Sequence, residues 1–70
     1  MGERRGRVVE YDARRGLGVV EADDGRRFAF HCTRLEDRER EPAVGAPVSF
    51  RLRAGHLGRW EADALAVRSA

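Results

Sequence analysis

Apolar residues along this chain occur in short runs that turn residues separate. Five of these runs have the length of a β-strand and fall at residues 7–12, 17–22, 26–31, 48–53 and 59–67. Between the second and third runs, Asp23, Asp24 and Gly25 are typical of a tight hairpin, because Asp and Gly tolerate positive φ. The pattern therefore predicts five strands, of which the second and third pair as a hairpin.

Alternation within the predicted strands assigns residues to the two faces of a sheet, because successive side chains point to opposite sides. In the third strand, Phe28 and Phe30 alternate with Ala29 and His31. We expect the two large rings to fill the core and the smaller residues to face outwards. The same alternation places Leu17, Val19 and Arg27 on that outer face, and in the fourth strand it places Val48, Phe50 and Leu52 inside and Ser49 outside.

The spacing of the strands indicates how they are connected. One long connection, residues 36–47, separates the third strand from the fourth, and its charged start carries no apolar stripe that would dock a helix. We therefore predict an all-β fold, a small five-stranded antiparallel Greek-key barrel of the OB type, with one helical turn at residues 33–35. A chain of 70 residues has room for a single domain, residues 1–70, in which we expect residues 1–5 to form a flexible basic arm.

Composition and charge point away from several classes of protein. No apolar run approaches the roughly 18 residues of a membrane span, and the single cysteine, Cys32, cannot form an internal disulfide. We therefore expect a cytoplasmic protein that makes no contact with a membrane. Fourteen arginines against twelve acidic residues leave a net charge of +2, which attracts a polyanion only weakly.

Catalytic and metal-binding chemistry lacks a constellation of residues in this sequence. Ser49 and Ser69 have no nucleophile motif around them, so we expect no enzyme, no small-molecule substrate and no cofactor. His31 and Cys32 are adjacent, and with His56 they raise the alternative of a metal site. Successive strand residues point in opposite directions, so we predict no metal and a structural cysteine that is at least half-buried.

Four segments of the chain carry a resemblance to a known family. They read GRVVEYDARRGLGVV at residues 6–20, DDG at 23–25, FAFHC at 28–32 and VGAPVSF at 44–50. In these segments the chain resembles the bacterial cold-shock domain, and the resemblance runs through nearly the whole sequence. It implies a five-stranded OB-type barrel that binds single-stranded RNA or DNA.

The two nucleic-acid-binding motifs of that family indicate where such a site would lie. The motif of the second strand, Lys-Gly-Phe-Gly-Phe in the family, reads RGLGV at residues 15–19, and the motif of the third, Val-Phe-Val-His-Phe, reads FAFHC at residues 28–32. Leu17, Val19 and Ala29 therefore stand where the family has phenyl rings. Stacking one base on an aromatic ring contributes about 1 to 3 kcal/mol, so we expect the binding to be weak.

Arginine and the remaining aromatic residues offer partial replacements for the lost rings. Arg27 shares the outer face, and an arginine can both pair with phosphate and stack on a base. Tyr11 and Trp60 are the aromatic candidates, although the sequence slightly favours a structural role for Trp60, as a cap on one end of a thin barrel. The predicted nucleic-acid-binding residues are Tyr11, Arg15, Leu17, Val19, Arg27, Ala29, His31 and Trp60.

The same fold supports a second function. Leu17, Val19 and Ala29 would form an exposed apolar patch if they are contiguous, and such patches mark sites for partners. With Trp60 beside them, the alternative is a module for protein interaction or self-association, as a homodimer, in which nucleic-acid binding has been lost. The extent of the resemblance favours weak nucleic-acid binding, and the sequence leaves both functions open.

Overall fold

The computed structural model describes residues 2–37 and 41–68, and its strands follow the predicted segments closely. The strands are β1 (Arg4–Asp12), β2 (Leu17–Ala22), β3 (Arg27–His31), β4 (Pro47–Ala54) and β5 (Trp60–Val67). The strands β2 to β5 begin and end within one residue of the prediction. The turn residues between the apolar runs are therefore sufficient to place these four strands.

The five strands close into a barrel in the order β1-β2-β3-β5-β4, with β4 pairing back onto β1. Pairing is antiparallel except between β3 and β5, which run parallel where Ala29 pairs with Glu61. The long connection carries the chain from β3 to β4, which pairs with β1, and the short parallel contact between β3 and β5 closes the barrel. The prediction of a five-stranded OB-type Greek-key barrel is confirmed.

Alternation along the strands builds the core. Phe28 and Phe30 are 5% and 2% exposed, whereas Ala29 and His31 are exposed. The predicted directions of the side chains in β3 are confirmed. The buried hydrophobic residues are Val8, Val20, Ala22, Phe28, Phe30, Leu35, Val48, Phe50, Ala62 and Leu65.

β1 begins earlier than the sequence predicted. Arg4 pairs with Phe50 and Arg5 with Ser49 in the β1–β4 ladder, so these two arginines belong to the strand and not to a flexible arm. The alternation of apolar side chains cannot reveal this, because backbone pairing holds both residues whatever their side chains are. Met1 lies outside the described residues, and the assignment of residues 1–70 to one domain stays a prediction.

Ser49 is buried, although alternation along β4 predicts it outside. It is 4% exposed, and it pairs with Arg5 in β1 and with Ala66 in β5. The β4–β5 ladder is irregular between Ser49 and Arg51, and the three consecutive residues Val48, Ser49 and Phe50 are all buried, so strict alternation does not hold in this part of β4. Such an irregularity depends on how β4 pairs with β5, so the sequence around Ser49 cannot predict it.

Two short 3₁₀ turns join the strands, and the described residues contain no α-helix. The first turn, Cys32–Arg34, overlaps the predicted turn at residues 33–35. The second, His56–Gly58, lies in the β4–β5 loop and was not predicted. Residues 38–40 of the predicted long connection lie outside the described residues.

Candidate nucleic-acid interface

The outer surface of the β2–β3 hairpin brings together four of the predicted site residues. In the ladder Val19 lies opposite Ala29, and Leu17 lies opposite His31. Leu17 is 46% exposed, Ala29 and His31 are exposed, and Val19 is half-buried. We call these four residues the sheet face. It offers aliphatic side chains and one imidazole ring to a ligand.

Two glycines let the sheet face lie close to the core: Gly18 in β2 and Gly16 in the turn before it. A Cβ at Gly18 would overlap the ring of Phe30 and would lie 2.9 Å from the carbonyl oxygen of Glu10. At Gly16, where φ is +66°, a Cβ would lie 2.6 Å from Cys32 Sγ. Cys32 is half-buried and packs against the core, as predicted for a structural cysteine.

His31 has one ring nitrogen engaged by the turn that follows it. Its Nδ1 lies 3.2 Å from the Thr33 backbone nitrogen, which donates to it, and 2.9 Å from Thr33 Oγ1. This arrangement caps the Cys32–Arg34 turn and fixes the plane of the imidazole. The ring is therefore presented to the solvent in a defined orientation, which favours stacking on a flat ligand.

A groove lies beside the sheet face on the β1 side. Tyr11 forms one wall, Arg15 and Val44 lie at its rim, and Val19 and Ala29 belong to both the groove and the sheet face. The Tyr11 ring stacks on Phe30, with 6.0 Å between ring centroids and 9° between the planes. One face of the Tyr11 ring therefore packs against the core. We call this groove the Tyr11 groove; a ligand in it can contact the rest of the ring and the hydroxyl.

Tyr11, the single tyrosine of the chain, is expected to ionise only at unusually high pH. Burial, and then the charges of Cys32, Glu41 and Asp12, raise its pKa above the ordinary value of 10.0. The fold therefore favours the neutral phenol of Tyr11. The contribution of this phenol to the free energy of unfolding is complete below pH 10.0 and is lost as the pH rises through the raised pKa. An absorbance titration of tyrosinate in native and urea-unfolded protein measures both pKa values, and equal values would contradict the burial of the ring.

A second groove lies on the opposite side, between β3 and the β4–β5 loop. Trp60 and Leu57 form its apolar side, and Trp60 is 48% exposed. Three arginines surround them, and Ala29 closes the groove towards the sheet face. We call this the Trp60 groove; it is lined by Arg26, Arg27, Phe28, Ala29, Leu57, Gly58, Arg59, Trp60 and Glu61. Since Ala29 lines both grooves, they form one surface across the hairpin.

Ion pairs already engage the two arginines that the sequence singled out. Arg27 Nε lies 3.1 Å from Glu21 Oε2, and Arg7 Nη2 lies 3.6 Å from the other oxygen of the same carboxylate. Arg15 Nε lies 3.9 Å from Asp12 Oδ2. These pairs are largely exposed and contribute little to stability, so a phosphate can compete for the guanidinium groups.

The structure brings all eight predicted site residues to this one side of the barrel. Leu17, Val19, Ala29 and His31 form its centre, Tyr11 and Arg15 border one groove, and Arg27 and Trp60 line the other. The sequence did not single out Arg26, Val44, Leu57 or Arg59, which also line the grooves. These four lie in or next to connecting segments, whose positions alternation does not report.

Residues 2–37 and 41–68 show neither a metal-binding cluster nor a membrane-spanning helix. No three His, Cys, Asp or Glu side chains in this part of the chain gather in a way that could hold a metal ion. Nor does this part of the chain contain a helix of the length and apolarity that crossing a membrane requires.

The closed barrel with its open β2–β3 surface has the fold of a cold-shock domain, an OB-type barrel. Among solved structures, a cold-shock domain structure of Drosophila Unr, CSD456, superposes with a TM-score of 0.80. It is 20% identical in sequence, and the match covers 97% of this chain and 27% of that chain. The present chain therefore spans about a quarter of the length of that structure's chain, and the likeness establishes the fold. No family model and no curated protein sequence matches the chain.

Proposed function

We propose that this chain is a non-catalytic, bacterial, cytoplasmic domain of the cold-shock type that binds single-stranded RNA or DNA weakly. The ligand would lie across the sheet face, because OB-type barrels bind oligonucleotides on their β2–β3 surface and the neighbouring loops. The observation that carries the proposal is the outward placement of Leu17, Val19, Ala29 and His31 on one surface that continues into a groove on either side.

The chemistry of the sheet face accounts for weak rather than tight binding. His31 offers one oriented ring, whereas Leu17, Val19 and Ala29 offer apolar contact without a π-face. Glu10 is exposed at the β1 edge of the same surface, opposite Val19, and opposes the approach of phosphate. The affinity therefore rests on a few stacking and arginine contacts, and we expect it to fall steeply as salt is added.

Amide chemical shifts of isotope-labelled protein test the proposal directly. Oligo-dT, oligo-U and a mixed single strand are titrated at low and at moderate salt. We expect the amides of Val19, Ala29 and His31 to move with a common dissociation constant that weakens at the higher salt. Absence of movement at millimolar strand concentration would refute nucleic-acid binding.

A pair of charge-matched variants assigns the binding to this surface. Ala29→Glu places a carboxylate at the residue that both grooves share, so we expect it to abolish the titration. Val67→Glu adds the same charge on β5, at a residue that is 38% exposed and lines neither groove, and should leave binding within about twofold. If both variants lose binding equally, the attraction is not localised on the sheet face.

Self-association or protein binding remains the second candidate, because the same surface exposes large apolar groups. Leu17 is 46%, Trp60 48% and Leu57 84% exposed. Sedimentation across a wide range of protein concentration tests this function. A mass that rises with concentration, together with silent oligonucleotide titrations, would favour a homodimer over the nucleic-acid-binding domain.

A further inference from the structure

Trp60 is the one aromatic residue that the described part of the chain leaves exposed. Phe28, Phe30 and Phe50 are buried, and Tyr11 packs against Phe30. Trp60 is 48% exposed although its position in β5 has the same direction as buried Ala62. It is the first residue of β5, where the barrel ends, and about half of its side chain stays accessible.

The β4–β5 loop holds Trp60 in place by an irregular turn. Trp60 pairs with Ala54, and the Gly55 backbone nitrogen donates to the Arg59 carbonyl oxygen over 2.6 Å. Within the turn, Leu57 and Gly58 both have positive φ, at 58° and 75°. A left-handed conformation is strained for a leucine, and such strain is concentrated at functional sites.

Two of the three arginines that line the Trp60 groove have no ion-pair partner among the described residues. No carboxylate of a described residue forms an ion pair with Arg26 or Arg59, whereas Arg27 is paired with Glu21. The Arg26 guanidinium lies 5.3 Å from the centroid of the Phe28 ring. The groove thus combines an open indole with two arginines that are free to accept an anion.

We propose that the Trp60 groove is a base-stacking subsite for single-stranded nucleic acid. One base stacks on the open face of Trp60, and Arg26 and Arg59 hold the adjoining phosphates. A strand that crosses the sheet face then leaves it at Ala29 and continues towards the β4–β5 loop. This inference rests on the proposed function and adds to it the residue that supplies the principal stacking platform.

The composition of the groove favours a nucleic acid over a second copy of the chain. A two-fold contact through this groove would place Arg26, Arg27 and Arg59 of one copy against the same three residues of the other. Only Glu61 among the lining residues carries a negative charge. An alternating chain of bases and phosphates satisfies both the indole and the guanidinium groups.

Trp60 is the single tryptophan of the chain, so its emission reports on this subsite alone. We expect a single-stranded oligonucleotide to quench the emission with the same dissociation constant that the amide shifts give. An abasic strand of equal length and charge serves as the control, since it can pair with the arginines but cannot stack. Equal quenching by the abasic strand would overturn the proposal.

Variants at position 60 measure what the ring contributes. Trp60→Leu should weaken binding about 5- to 150-fold, the range for one stacked base, and Trp60→Phe should restore part of the loss. Arg26→Ala and Arg59→Ala should each lower the salt slope of the binding constant by about 0.7 and leave the fold intact. Melting curves establish whether each variant is folded, and the arginine variants keep the test valid if Trp60→Leu is not.

The outcomes separate this inference from the proposed function. Unchanged affinity in folded Trp60→Leu, with amide shifts at Val19 and Ala29 retained, would overturn the subsite and leave the sheet face as the binding site. Silent amides and unchanged emission at millimolar strand would overturn both. An emission change that follows protein concentration in the absence of any oligonucleotide would assign the groove to self-association and overturn the subsite.

Discussion

Replacing Leu17, Val19 and Ala29 together by phenylalanine is expected to tighten the binding of single-stranded oligonucleotides by about a hundredfold or more. The three side chains face outwards on neighbouring strands, with Val19 opposite Ala29. Each added ring can stack on a base, and three stacks at the low end of about 1 kcal/mol each give that factor. Fluorescence anisotropy of a labelled oligo-dT measures the change, with wild type and variant at the same salt concentration.

A second variant separates stacking from simple apolar contact. Val19→Leu and Ala29→Leu, with Leu17 retained, enlarge the same surface without adding a π-face, so we expect a gain well below tenfold. Sedimentation of both variants at the concentrations of the assay verifies that they are monomeric. A folded, monomeric phenylalanine variant that binds no tighter than wild type would show that single strands do not cross the sheet face.

The inward and outward directions in the hairpin could be predicted because they depend on neighbouring residues alone. Phe28 and Phe30 alternate with Ala29 and His31 inside five consecutive positions, and the strand has no bulge. Once the two rings are inside, the pleat fixes where their neighbours point. The position of the sheet face therefore follows from local sequence.

The Trp60 groove could not be predicted in the same way, because distant segments meet there. Arg26 precedes β3, and Leu57 and Arg59 belong to the β4–β5 loop. They come together only through the parallel contact between β3 and β5, which joins Ala29 to Glu61 across 32 positions. Trp60 was a candidate binding residue because it is aromatic. Whether it capped the barrel or faced the solvent depended on how β3 and β5 meet.

Which surface charges form ion pairs also depends on how the strands pair. Glu21 in β2 faces Arg7 in β1 and Arg27 in β3, so one carboxylate engages two arginines. The predicted hairpin brings Glu21 near Arg27, but nothing in the sequence indicates that Arg7, 14 positions away, meets the same carboxylate. The net charge of +2 therefore does not show which arginines are paired: six described arginines, Arg26 and Arg59 among them, make no ion pair with a described carboxylate.

Phe30 connects the core to the candidate interface. Its ring lies over Gly18 of β2, in space that a Cβ would occupy, and it stacks on Tyr11 at 6.0 Å. The same residue therefore supports the inner side of the sheet face and the wall of the Tyr11 groove. A change at Phe30 is expected to alter stability and ligand binding together, although the ring, 2% exposed, touches no ligand.

Phe30→Ala is expected to lower the free energy of unfolding by about 3 to 5 kcal/mol, the cost of removing a buried phenyl ring. A domain of 70 residues has a total of roughly 3.5 to 10 kcal/mol, so the variant would be largely unfolded or close to it. If it folds, its Tm should fall by at least about 12 °C. Urea unfolding followed by circular dichroism measures the loss.

Two comparisons identify the cause of that loss. Leu57→Ala removes a comparable apolar group from a side chain that is 84% exposed, and it should change stability by less than about 0.5 kcal/mol. Phe30→Leu keeps part of the buried volume and should fold, but it takes the stacking partner from Tyr11 and exposes that ring. The Tyr11 pKa should then move down towards 10.0. A stable Phe30→Leu variant with an unchanged Tyr11 pKa would mean that Phe30 does not support the Tyr11 groove. A Phe30→Ala variant as stable as wild type would contradict the placement of Phe30 in the core.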